Sequence, residues 1–113
     1  MKSPVRFIAF LAAAALAGMS TATQAAEIMV NQKGKKFVPK KVTAKVGDVM
    51  VFSNIEKKKI RHNVYSKTPG FEYIKVKIQK PGQSNKIKLT KAGTFEVRCS
   101  FHPRMKMKVT VTN

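Results

Sequence analysis

From Glu27 onward, apolar and polar residues alternate in short runs, and no segment keeps a helical period for three turns. The alternation is clearest in Lys86-Ile87-Lys88-Leu89 and in Lys108–Thr112. There Ile87, Leu89, Val109 and Val111 share one face while lysines and threonines take the other. Val49-Met50-Val51-Phe52 is apolar on both faces, which suits the interior of a sheet. The pattern predicts strands at Glu27–Asn31, Lys41–Lys45, Val49–Asn54, His62–Ser66, Glu72–Ile78, Asn85–Thr90, Thr94–Cys99 and Lys106–Thr112. Gly34, Pro39, Gly47-Asp48, Pro69-Gly70, Pro81-Gly82 and Gly93 punctuate them. Short strands at this spacing predict an all-β sandwich or barrel, with no repeat and no second domain.

The first residues follow a different rule. Lys2 and Arg6 precede an uncharged apolar run from Phe7 to Met19, and small polar residues follow up to Ala25. That is the layout of a secretory signal peptide over residues 1–25, cut after Ala25 or, as the second choice, after Ala26. The apolar run is short of the roughly 20 residues a membrane-spanning helix needs. The expected product is an exported, periplasmic domain over residues 26–113, with no membrane span.

Charge changes the picture of its partners. The chain carries 23 Lys and Arg against five acids, a formal net charge of +18. Removing Lys2 and Arg6 leaves 21 cations and a charge of +16. Export argues against nucleic acid as the partner and for acidic proteins or anionic envelope surfaces. Part of the lysine excess also suits strand edges, where it discourages pairing between molecules.

A single cysteine excludes an internal disulfide, so a lone thiol in an oxidising compartment needs another role. Packing, a dimer bridge or a metal-bound thiolate are the choices. Cys99 and His102 sit in one segment with Met105 and Met107, and His62 lies on a separate strand-like run. Every His and Cys after the leader thus falls into one constellation. A thiolate, two imidazoles and a weak thioether are the donors of a type 1 copper site. Zinc on the same groups is the rival, although thioether sulfur is unusual in zinc sites. Candidate ligands are therefore His62, Cys99, His102 and a methionine, Met105 or Met107.

The residues Asn54, His62-Asn63-Val64-Tyr65 and Gly93-Thr94-Phe95-Glu96-Val97-Arg98-Cys99, followed by His102 and Met105, resemble the plastocyanin, amicyanin and pseudoazurin group of cupredoxins. Phe37-Val38-Pro39, Gly47-Asp48, Pro81-Gly82 and Lys108–Val111 match further landmarks, so the resemblance spans nearly all of residues 26–113. It implies a Greek-key β-sandwich with one copper ion at one end and one-electron carriage between redox partners. It implies His62, Cys99 and His102 as equatorial ligands. In the family, inward residues follow the axial methionine by four and six positions, which favours Met105, with Val109 and Val111, over Met107.

Within that resemblance, Asn63 is expected to tie the two ligand segments together through Ser100. Phe101 stands where the family usually has proline, and it brings an N–H that proline lacks. If the loop keeps the family's shape, that N–H and the Asn63 N–H would both donate to the Cys99 sulfur. His102 is the expected outlet for the electron. Lys57, Lys58, Lys59 and Arg104 would surround it and receive an acidic cytochrome or dehydrogenase in a transient encounter. A monomeric electron carrier without enzymatic activity is expected. The alternatives are a copper carrier using the same site and a basic module for anionic polymers.

Overall fold

The computed structural model describes residues 24–113, so all but the last two residues of the expected leader lie outside the described residues. Nine strands follow one another: β1 (Glu27–Lys33), β2 (Lys36–Val38), β3 (Lys41–Lys45), β4 (Val49–Asn54), β5 (His62–Tyr65), β6 (Lys75–Gln79), β7 (Ser84–Lys88), β8 (Gly93–Arg98) and β9 (Lys106–Thr112). They form a four-stranded sheet, β2-β1-β4-β7, and a five-stranded sheet, β3-β9-β8-β5-β6. The predicted all-β character is present as two sheets around one core. Among the described residues no helix is long and apolar enough to cross a membrane.

The strand pattern explains the packing. β4 is buried along nearly its whole length because it lies between β1 and β7, in parallel and antiparallel register respectively. Ile87, Leu89, Val109 and Val111 all face the core, as the alternation requires. Phe37 and Phe52 meet edge to face with ring centroids 6.1 Å apart. Lysines recur on all four edge strands, at Lys36, Lys41, Lys45, Lys75, Lys77, Lys86 and Lys88. This placement agrees with a charge that keeps open edges from pairing.

Some boundaries differ from the prediction for physical reasons. β1 extends to Lys33 because a hairpin holds its end, with Gln32 paired to Phe37 and Lys33 to Lys36. β2 is absent from the prediction, since three residues offer one inward side chain and no period. The run from Glu72 becomes strand only at Lys75. Ahead of it the chain turns twice, with the Phe71 amide donating to the Thr68 carbonyl and the Ile74 amide to the Phe71 carbonyl. The turn buries both Phe71 and Ile74, an outcome that β-propensity alone does not foresee. Phe71 then stacks on Phe95 at 4.7 Å. Gly93 makes room for that stack: at φ 142°, a Cβ there would stand 2.8 Å from Phe71 Cζ.

Candidate metal centre

Four chain segments converge on the candidate centre: the end of β4, the start of β5, the turn after β8 and the entry to β9. β5 and β8 are antiparallel, with Tyr65 opposite Arg98, so the first residue of β5 approaches the residues just past β8. His62 Nδ1 consequently lies 3.8 Å from Cys99 Sγ, and both residues are fully buried. The His102 ring stands edge-on to that of His62 with centroids 4.9 Å apart. The Met105 amide donates to the His102 carbonyl at 2.8 Å, closing the short loop. Met105 is buried in the same core cluster as Cys99.

The two methionines hold different places. Met107 lies within β9 opposite Val97 and continues its inward row with Val109 and Val111. Met105 lies one step before the strand, on the loop that carries His102. Both are buried, and Met107 packs as a core residue of β9. Asn113, which the alternative register would turn inward, is exposed.

The structure supplies supports that the sequence reading missed. Glu56 accepts from His62 Nε2 at 2.7 Å, from the Lys35 amide at 2.9 Å and from the Gly34 amide at 3.0 Å. Burial pushes the Glu56 carboxyl up, but the Lys35 amide, the His62 ring and the Gly34 amide together bring it below its ordinary 4.5. Asn54 Nδ2 donates to the carbonyls of Ile60 and Gln79, and its Oδ1 accepts from the Glu56 amide. The one available hint was charge: Glu56 is the lone acid beside a lysine run, six residues before His62.

The expected tie between Asn63 and Ser100 is present in both directions. Asn63 Nδ2 donates to Ser100 Oγ at 2.9 Å, and the Ser100 amide donates to Asn63 Oδ1 at 2.8 Å. The Asn63 amide also reaches Cys99 Sγ at 3.5 Å. No such bond from the Phe101 amide occurs among the described residues, so the expected second donor to the sulfur is absent. Phe101 instead turns outward, 39% exposed, with the Arg61 guanidinium 5.7 Å above its ring. Its side chain serves the surface, where an arginine covers it.

Between the β1–β2 hairpin and the ligand loop runs an open groove of about 800 Å³. Phe37, Phe101, Pro103 and Met105 form its apolar lining with His102, and Lys35, Lys36, Lys40, Arg104 and Lys106 edge it. Of the lysines and arginine expected there, Arg104 lines the groove. Lys57–Lys59 do not; the cations of the hairpin take their place. His102 is the more exposed of the two histidines, yet its Nε2 is buried without a hydrogen-bond partner. Burial, then the His62 ring, hold the His102 imidazole below its ordinary 6.5, against the pull of the Arg61 carbonyl.

Among the described residues, no three or more His, Cys, Asp or Glu side chains are gathered into a ready metal cage. What is gathered is the His62–Cys99 pair, an adjacent His102 ring and a buried thioether. The donor set nevertheless fits copper: soft sulfur suits Cu(I) and imidazole suits both oxidation states. The orphaned His102 Nε2 is a buried polar atom that lacks the partner such atoms normally have.

Comparison with known proteins agrees with this architecture. No curated protein sequence matches the chain. Among solved structures, a reduced Cu(I) amicyanin variant is 30% identical with a TM-score of 0.66, covering 81% of this chain and 86% of its own. A copper-containing nitrite reductase from Thermus scotoductus SA-01 is 24% identical with a TM-score of 0.72. That match covers 81% of this chain but 24% of the reductase, so it bears on the fold alone. A purple cupredoxin from Nitrosopumilus maritimus, 18% identical over 75% of this chain and 99% of its own, likewise shares the fold at a TM-score of 0.64. The model of the Cupredoxin-like domain matches residues 6–111, and the chain belongs to that family.

Proposed function

We propose that this chain is an exported, periplasmic electron carrier that holds one copper ion through His62, Cys99, His102 and Met105. The observation that carries the reading is the approach of His62 Nδ1 to Cys99 Sγ at 3.8 Å in a fully buried setting. A buried thiol facing an imidazole, with a second imidazole and a thioether alongside, presents the donors that copper takes in both oxidation states. Bound there, copper supplies a one-electron couple between Cu(II) and Cu(I). The chain's own residues hold the donors in place. The Asn63–Ser100 bonds lock the two ligand segments together, and the Asn63 amide stabilises the electron-rich sulfur. His102, on the groove, is the side chain through which an electron passes to a partner.

The reading of a carrier without enzymatic activity draws on the amicyanin match, which spans most of both chains. The basic edge of the groove suits an acidic redox protein, such as a cytochrome or dehydrogenase, meeting a monomer in a brief encounter. Charge of this kind speeds arrival more than it tightens the complex. The deciding experiment is to add Cu(II) to the purified protein and record visible and EPR spectra. An intense thiolate-to-copper band with narrow copper hyperfine splitting is expected. A colourless protein with an ordinary Cu(II) spectrum would refute the assignment.

A further inference from the structure

The β1–β2 hairpin turns through Gly34 and Lys35, with φ of 62° and 57°. Two consecutive positive φ values are the backbone of a tight hairpin turn whose twist matches its strands. Glycine takes this conformation freely, but lysine does so at a cost of about 1–2 kcal/mol. The strained turn is not idle. Its two amides, Gly34 N–H and Lys35 N–H, point at the same carboxylate, donating to Glu56 Oε1 and Oε2 at 3.0 and 2.9 Å. Consecutive backbone amides aimed at one anion form a small anion-receiving hollow. The third donor on that carboxylate is His62 Nε2 at 2.7 Å.

We propose that Glu56 is a positioning residue, which clamps the imidazole of His62 to the strained hairpin turn and so sets which ring nitrogen faces Cys99. The logic is donor and acceptor identity. An ionised carboxylate only accepts, so the Nε2 bound to it carries the proton. In the neutral ring, Nδ1 is then the bare nitrogen, and Nδ1 is the atom 3.8 Å from Cys99 Sγ. Glu56 itself cannot swing away, because its side chain is 6% exposed and both oxygens are engaged. The loop beneath it is held by Asn54, whose Oδ1 accepts from the Glu56 amide. The same hairpin forms one wall of the basic groove, through Lys35 and Lys36. One carboxylate therefore joins the wall of the groove to a candidate ligand.

The inference rests on the copper reading for its consequence, but its geometry is testable without metal. In the metal-free protein, 15N NMR should show neutral His62 protonated on Nε2 and bare on Nδ1; the opposite tautomer overturns the clamp whether or not copper binds. In the copper-loaded protein, Glu56→Gln removes the charge and sets an amide N–H against the donors of the turn. Copper affinity should then fall about tenfold, as for other partners that orient a ligand histidine. The preference for Cu(II) over Cu(I) should fall about tenfold as well, which is a rise of about 59 mV in reduction potential. Glu56→Asp keeps the charge on a shorter reach and should shift the potential in the same direction by less. It carries the same readouts should the glutamine variant not fold. Affinity and potential unchanged from wild type in a folded variant overturn the proposal. A type 1 spectrum missing from the wild type, with the Nε2 tautomer present, would instead reject the copper reading and leave the clamp standing.

Discussion

The two segments that bring the candidate ligands together are built on opposite principles. Cys99–Met105 places three donors within seven residues, and its closing bond, from the Met105 amide to the His102 carbonyl, is local. Asn54–His62 delivers a single donor, and bonds from distant parts of the chain hold it alongside those within it. Glu56 is tied to Gly34 and Lys35, and Asn54 to Gln79 on β6 as well as to Ile60. A short loop aims its side chains by backbone geometry. A longer one must be fastened, and its fasteners are buried polar groups whose loss is costly. The contrast predicts that damage to the first segment changes the metal chemistry, while damage to the second reaches the fold.

The sharpest way to break this comparison is Asn54→Ala. It leaves the Ile60 and Gln79 carbonyls and the Glu56 amide without their partner, the bond to Gln79 fully buried and the other two partly so. Urea unfolding should show a loss of about 3 kcal/mol; a change under 1 kcal/mol would mean the segment needs no fastening. Truncating the two methionines separates chemistry from packing inside the first segment. Met105→Ala and Met107→Ala should each cost about 3 kcal/mol as buried truncations. Only Met105→Ala should alter the visible and EPR spectra of the copper-loaded protein. A spectral change confined to Met107→Ala would move the axial role to β9.

A smaller effect is expected from Asn63→Ala, which removes both bonds to Ser100. These bonds lie at the exposed side of the site, so stability should fall by about 1 kcal/mol. Copper should dissociate faster, and stopped-flow transfer to a chelator measures that rate. An unchanged rate would show that the local loop needs no clasp at all.

The smallest and most graded test is acid. In the metal-free protein His102 is held below 6.5 by burial and by the His62 ring. The unfolded chain therefore takes up that proton first, and stability falls as pH drops through and below 6.5. Glu56 and Asp48 are held below 4.5 and 3.8. Burial opposes the shift at Glu56, while the amides of Lys35 and Gly34 and the His62 ring cause it; at Asp48 the amides of Lys45 and Ala26 cause it. Their contribution is present above those ordinary values and is lost as pH falls through the depressed ones. Melting temperature against pH should thus decline in two stages, and Glu56→Gln should shrink only the lower stage. A single stage, confined below pH 4, would show that the His102 environment adds nothing.

Much of this arrangement is legible in the residues themselves. Strand period determines the all-β character, sandwich or barrel, because alternation with a repeat of two buries one face of each strand, and the family resemblance narrows it to a sandwich. Lys41–Lys45, Val49–Asn54 and Lys106–Thr112 form with the predicted bounds. The His62, Cys99, His102 and methionine inventory singles out the candidate centre, since the spacing of Cys99, His102 and Met105 is itself a local geometry. The Asn63–Ser100 tie follows from the resemblance that these motifs carry.

The tertiary structure decided what depends on distant partners. It turned Phe101 outward under Arg61, because loop direction is set by packing and not by residue identity. It bent Phe71–Ile74 into a turn, and it formed β2 from three residues too few to show a period. Above all it brought Glu56, already bonded to His62, to the hairpin amides of Lys35 and Gly34, twenty-one and twenty-two residues upstream. A hydrogen bond needs its donor and acceptor within about 3 Å, and sequence separation carries no information about that distance once the chain has folded back. Sequence by itself thus determined the period, the core and the chemical inventory; only the folded chain decided which polar groups meet.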